Sequence, residues 1–420
     1  MSFQQALSGL NAAAKNLDVI GHNIANSGTA GFKSSRTEFA EAMASAAGSA
    51  SGQTVGIGVD VGAVSQQFKQ GNINATGNNL DVAINGDGFF VLRQPDGSMA
   101  YSRAGNFQLD KQGNLVTIAR DQVMGYPVDP ATGKVQTGVQ PVPMSFPSGQ
   151  PIAARATAKV EVDLNLDARA HNAVGDPTAT PPIPATPRAT YGTSLTVYDS
   201  QGIGTPMSMY FEKNGANSWD VYDGLGDASA TPPVVANKLT TLVFDAAGKL
   251  VSGSPVTNAT IQTNNPNSPT PGSITGMNID FSGVTQFGTK LAVSDLKQDG
   301  YTAGVMTGIN IGGDGSIVAS YSNGVSRAEG MLTLASFRNP QGLAATGGNK
   351  WVETSDSGLA VSGLPKTGTL GTLQAGALED SNVDLTAELV NMMTAQRAYQ
   401  SSAQAIKTQD QVFSTLVNLR

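Results

Sequence analysis

The chain has no cysteine among its 420 residues, which excludes a disulfide framework and thiolate chemistry. It has two histidines, His22 and His171, with no His-x-x-x-His spacing to build a zinc site. Charge is also scarce. Asp, Glu, Lys and Arg make up 14% of the chain, against about 25% in an average globular protein. The balance is −7, the wrong sign for a nucleic-acid partner. No run of about 18 apolar residues occurs, so no membrane insertion is expected. The opening MSFQQALSGL lacks a basic n-region and an apolar h-region, so it is not expected to be a cleaved secretory signal. Enzyme motifs are missing too. There is no Gly-x-Ser-x-Gly elbow. Gly283 and Gly288 are followed by Thr289-Lys290, not by the Lys-Ser/Thr of a phosphate loop. Gly56, Gly58 and Gly62 have the wrong spacing for a dinucleotide turn. The Asp-Gly pairs lack the alternating acids of a calcium loop and read as turns. Hence no enzyme, metal or cofactor is expected.

What the chain does have is glycine, 49 residues, with abundant Ser, Thr, Asn and Gln. Such a surface is polar but weakly charged. It can pack against copies of itself without burying unpaired ions, a step that costs several kcal/mol per ion. A length of 420 residues predicts two to four domains.

The two ends carry the clearest pattern. Near the C-terminus, Leu389, Met392, Gln396, Tyr399, Ala403, Ile406, Asp410, Phe413 and Val417 step by three and four along one seam, without proline or glycine. Asp384 stands where a helix cap belongs, and Glu388 sits in the first turn, where negative charge suits the dipole. Glu379 and Asp380 are read the same way, as acids near a helix start. Near the N-terminus, Phe3, Leu7, Leu10, Ala14, Leu17, Gly21 and Ile24 repeat the spacing, and Ala6, Ala13 and Ile20 widen the stripe. A lone heptad helix is marginal in water, so each is expected to need a partner, and each end is the candidate partner of the other. Asn23, Asn26, Gly31 and Phe32 mark the turn out of the first helix, because Asn and Gly tolerate the left-handed backbone of a helix end.

Between the ends the period changes to two. Residues 34–71 read as an irregular or hairpin connector. From Leu80 to Leu92, two strands flank Asn85-Gly86 and Asp87-Gly88, which is hairpin chemistry. Pro95-Asp96-Gly97-Ser98 and Lys111-Gln112-Gly113-Asn114 supply the next turns of a meander. Pro141, Pro143, Pro147 and Pro151 mark a boundary. Beyond it, Val160, Val162, Leu164 and Leu166 alternate with polar residues, and strands follow around 195–198, 207–211, 219–222 and 239–244. This reads as a second all-β domain, a sandwich or flattened barrel, with exposed Pro/Thr-rich loops at 174–189 and 264–272.

Several of these stretches also resemble a known family. ANSGTAGFK (25–33), NNLDVAINGDGFF (78–90), YSRAGNFQLDKQGNLVT (101–117) and MGYPVD (124–129) are similar to the bacterial flagellar axial proteins, the rod and hook family. So is the closing run from Gly376, GALEDSNVDLTAELVNMMTAQRAYQ. The string DLKQDGYTAGVMTGINIGGDGSIVASYSNG (295–324) resembles the hook members more than the rod members. The resemblance covers about 1–145 and 285–420. It implies a mainly β chain with terminal α-helices. The coiled-coil-like core would be 1–33 with 377–420, followed by a connector at 34–71. A first β domain would take 72–145 and 285–363, and an inserted β domain 146–284. It implies a self-assembling tube, a flexible universal joint carrying torque from rod to filament. Implied partners are copies of itself, the distal rod, hook cap and hook–filament junction proteins, and the flagellar type III export apparatus. The implied location is extracellular, at the flagellum, reached without a cleaved signal. On this reading Phe3, Leu7, Leu10, Leu17, Ile24, Leu389, Met392, Tyr399, Ile406, Phe413 and Val417 form the assembly interface. The alternatives are a distal rod protein, disfavoured by the long middle domain, and a secreted β-rich adhesin or phage tail protein, which the paired terminal heptads do not favour.

Overall fold

Apolar residues recurring every three or four positions at both ends form helices, and those recurring every second position between them form strands. The computed structural model describes residues 3–43, 56–129, 133–146, 151–225, 236–263 and 272–418. It is mainly β, with helix α1 at Phe3–Ala25 and helix α2 at Leu385–Asn418. The chain divides into two units. The first takes Met1–Ser148, Thr307–Ser320 and Ser326–Arg420, and the second takes Gly149–Met306 and Tyr321–Val325.

In the first unit, residues from both flanks of the insertion share one antiparallel sheet. Ser326–Leu332, Gln122–Pro127, Phe89–Arg93, Met99–Ser102, Lys350–Val352 and Ala344–Gly347 are neighbours in that order. Phe68, Phe89, Tyr101, Phe337 and Trp351 interlock on it edge to face, with ring centroids 4.7–5.8 Å apart. The turns at Gly97 and Gly113 form as expected, each glycine with φ near +85°. The connector is a ribbon, strand β1 (Ser35–Met43) antiparallel to strand β2 (Gly56–Gln66).

The hairpin expected at Asn85-Gly86 does not form. Val82–Asn85 pairs with Thr372–Ala375, while Phe89–Arg93 joins the large sheet. The turn residues do bend the chain, with Gly86 and Gly88 at φ +109° and +123°. They send it from one sheet into another, because the partner of Val82–Asn85 is a strand from the far end of the sequence.

The second unit is a sandwich, as the alternation implied. One sheet is Gly192–Tyr198, Gly204–Gly215, Ser218–Tyr222, Lys238–Phe244 and Leu250–Ser252. The other is built around Lys159–Asp167, whose Val160, Val162, Leu164 and Leu166 all point inward onto Met207, Phe211 and Trp219. The return to the first unit lies later than the expected 285. Thr285–Phe287 pairs parallel and Ala292–Gln298 antiparallel with Lys159–Asp167, so this sheet keeps the chain through Gln298 and the second unit extends to Met306. The loop at 174–189 is present, bridged at Asp176 and Ile183. Residues 264–271 of the second expected loop, and Pro147, lie outside the described residues.

Tyr101 is buried and its hydroxyl meets Glu353 at 3.4 Å. Burial first, and the Glu353 charge second, push its pKa up to about 12. The folded chain therefore keeps this proton between pH 10 and 12, where the unfolded chain loses it. Stability in that window is expected to fall with pH more steeply than in Tyr101→Phe, read from urea unfolding midpoints at each pH.

Candidate functional site

The two terminal helices pack along each other, and the structure fixes how each begins or ends. Asp384 caps α2: its Oδ1 accepts the Thr386 N–H at 2.9 Å and the Ala387 N–H at 3.1 Å. At the end of α1, the Asn26 side chain donates to the His22 carbonyl at 2.9 Å. Asn23 is buried between both helices and the ribbon. Its Nδ2 donates to the Ser35 carbonyl at 2.8 Å and to Glu388 Oε1 at 3.0 Å, and its Oδ1 accepts the Ser35 N–H at 2.8 Å. Glu388 thus does more than suit the helix dipole, since it receives α1 directly.

Gly9 against Ser402 and Asn23 against Glu388 mark where the helices meet. Ala6, Ala12, Ile20 and Asn23 are buried on α1, and Ala395 is the buried residue of α2 among those described. A Cβ added at Gly9 would come within 3.2 Å of Ser402 Oγ. On another side α1 is covered by the ribbon, where Ser8 Oγ accepts the Val59 N–H.

The large residues of the expected seam divide. Leu10, Leu17, Ile24, Met392 and Ile406 are half-buried. Phe3, Leu7, Leu389, Tyr399 and Phe413 remain 38–53% exposed. The backbone of α2 runs through Val417, whose side chain lies outside the described residues. Leu385, Val390, Met393 and Val412, which the seam did not include, are exposed as well. Leu385 and Met393 stand four residues to either side of the seam residue Leu389.

Below the helices lies a charge cluster that the sequence reading missed. Gly31 has φ +68°, and a Cβ there would lie 2.6 Å from the Ala104 nitrogen, so the turn requires glycine. Phe32 is buried and its ring meets His22 at 5.5 Å. The next residue, Lys33, is fully buried against Glu379, also fully buried, at 2.6 Å. Glu379 Oε1 accepts the Gly71 N–H at 2.8 Å, and its backbone carbonyl accepts the Gly31 N–H at 2.7 Å. Lys33 Nζ also donates to the Lys69 carbonyl at 2.7 Å. Arg103 faces Glu379 Oε2 at 3.5 Å and donates to the Gly86 carbonyl at 2.9 Å. Burial pushes the Lys33 ammonium below the usual lysine range, against the pull of Glu379. Glu379 is therefore no helix-dipole acid, as expected above, but the counter-ion of two buried cations. Asp380 binds Asn74 instead. No grouping of acids and histidines able to hold a metal occurs among the described residues.

Asn23→Ala leaves the Ser35 N–H and carbonyl without their partner in a buried setting. It is expected to cost about 1–3 kcal/mol of stability. Chemical unfolding followed by circular dichroism at the helix band measures it.

These features coincide with known proteins along the whole chain. Residues 3–33 match the flagella basal body rod protein family, and 83–165 the flagellar hook protein FlgE/F/G D1 domain. Residues 165–301 match the flagellar basal body protein FlaE D2 domain, and 374–419 the flagellar basal body rod FlgEFG protein C-terminal region. The flagellar hook protein FlgE of Escherichia coli K12 is 44% identical over 100% of both chains. That of Salmonella typhimurium is 43% identical over 100% of both. That of Treponema pallidum is 30% identical over 100% of this chain and 99% of its own. In fold, the crystal structure of Helicobacter pylori flagellar hook protein FlgE2 covers 73% of this chain and 100% of its own, with TM-score 0.52 and 15% identity. The chain belongs to the flagellar hook protein FlgE family.

Proposed function

We propose that this hook subunit polymerises through the outward apolar faces of α1 and α2, which line the inside of a tube and pack against the same helices of neighbouring copies. The observation that carries the reading is the arrangement of side chains on the pair. The fully buried apolar residues of the pair are mostly small, Ala6, Ala12 and Ala395 beside Ile20, and Gly9 approaches Ser402. Large ones, Phe3, Leu7, Leu389 and Phe413, are left in water. A helix pair meant to be complete by itself would do the reverse, because a buried Leu or Phe stabilises by about 1.5–3 kcal/mol. Leu385, Val390, Met393 and Val412 enlarge the outward face.

The β units form the outer layers on this reading. Their charge-poor surface makes small, wet contacts that exchange as the tube bends, so the assembly carries torque as a flexible joint between rod and filament. The role is structural and requires no reaction. The partners at the ends of the tube are the distal rod, the hook cap and the hook–filament junction proteins. The flagellar type III apparatus exports the chain to the cell exterior.

Electron microscopy of concentrated protein tests the assembly faces. The full chain is expected to form tubes or short polymers. A chain trimmed to 27–383, which keeps Glu379 and the strand Thr372–Ala375, is expected to stay monomeric. The double variant Leu389→Asp, Phe413→Asp changes exposed positions only. It is expected to raise the concentration needed for polymerisation at least tenfold, since 1.4 kcal/mol is a factor of ten. Its monomer melting should remain at the parent value. Equal polymerisation by the trimmed chain would show that the helices are not the assembly faces.

A further inference from the structure

Every group that closes the buried charge cluster comes from outside the two helices. Lys33 follows the turn that ends α1, Lys69 and Gly71 follow the ribbon, Arg103 belongs to the β sheet region, and Glu379 ends the strand Ala377–Glu379. That strand pairs with Ile73–Ala75. The neighbouring Asn382 fastens the same place. It accepts the Ser34 N–H at 2.7 Å and donates to the Gln67 carbonyl at 2.7 Å, and its N–H donates to the Phe32 carbonyl at 3.4 Å. The outgoing chain at 31–34 and the incoming chain at 379–382 are thus tied together, and neither tie uses a residue of α1 or α2.

We propose that the Lys33–Glu379–Arg103 cluster is a clasp that holds the two helix origins side by side whether or not the helices are paired. Between Ala25 and Leu385, 359 residues separate the helices along the chain. With the clasp closed, the search of α1 for α2 becomes a local one at high effective concentration. Chain addition to a polymer then starts from helices already rooted at a common point. This consequence for assembly rests on the polymer reading above, whereas the clasp itself does not.

Hydrogen exchange on the full-length monomer tests the clasp. The amides of Gly31, Gly71 and Asp380 report the root, and those of Val91 and Leu92 report the sheet. Ala395→Pro breaks α2 where it meets α1. In that variant the root amides are expected to stay within about threefold of the parent rates while the helix amides exchange freely. In Glu379→Gln the root amides are expected to exchange at least tenfold faster while the sheet amides hold. Lys33→Met removes one cation and leaves Arg103 on Glu379. It is expected to shift the root in the same direction by a smaller factor, and it carries the test if Glu379→Gln does not fold. Collapse of root protection in Ala395→Pro, or parent rates in Glu379→Gln and Lys33→Met, would overturn the clasp. Where the parent polymerises, Glu379→Gln is expected to need at least tenfold more protein to do so, and parent-like polymerisation would overturn the assembly consequence. A parent that never polymerises defeats the polymer reading and leaves the exchange result to decide the clasp.

Discussion

A carboxylate shut away from water has to be answered by charge and by hydrogen-bond donors at once, because ion burial costs several kcal/mol before any partner repays it. Glu379 is such a group, and the first unit is arranged to answer it. Its two oxygens meet Lys33, Arg103 and the Gly71 amide, and its carbonyl meets the Gly31 amide. To satisfy that list, segments near residues 31, 71, 103 and 379 have to converge. The left-handed Gly31 and the close approach at Gly71, where a Cβ would lie 2.1 Å from the Asp380 carbonyl oxygen, follow from the same convergence. Replacing the set by apolar residues of equal size would cost little stability or even add some. What the ionic version adds is register: a carboxylate with fixed donors tolerates one arrangement of four segments, where an apolar plug tolerates several.

Above this root the helices follow a different logic. Asn23 links α1, the ribbon and α2 through one amide, and Asp384 caps α2 a few residues from Glu379. Both are polar devices that set direction and contribute little apolar burial. The fully buried apolar residues of the pair are mainly alanines, and Gly9 approaches Ser402, so little apolar area is removed from water there. The pair is well aimed and weakly held, the condition expected of elements whose packing is completed by other molecules.

The sequence displayed some of this and concealed the rest for identifiable reasons. The alternation of Val160, Val162, Leu164 and Leu166 was a complete description of a strand with one buried face, because period and burial are the same fact there. The heptads likewise announced both helices and the cap at Asp384. Asn85-Gly86 misled because turn chemistry is local while strand pairing is not. The chain bends there as its residues require, yet the partner of Val82–Asn85 arrives from Thr372–Ala375. The boundary at 285 failed in the same way, since Ala292–Gln298 could be assigned to a sheet only by knowing that Lys159–Asp167 had an open edge. Lys33 and Glu379 stand 346 positions apart, and nothing in the composition around either marks them as a pair. The resemblance located their motifs without saying why those residues were in them.

On the polymer reading, the division of the seam bears on the kind of association the helices support. Phe3, Leu7, Leu389, Tyr399 and Phe413 each keep about half of their surface in water, so covering all five is worth roughly 4–8 kcal/mol. Bringing two chains together costs an estimated ~4–15 kcal/mol in lost freedom and ordering. On that reading, one neighbour covering part of this face recovers only part of that sum, and several neighbours together recover more of it. A face too weak for a pair and sufficient for a crowd favours growth at the end of an existing polymer over association of free monomers. Every copy carries the same net charge of −7, so the long-range force between free monomers is repulsive, not attractive. On the polymer reading, both properties favour adding where neighbours are already in place.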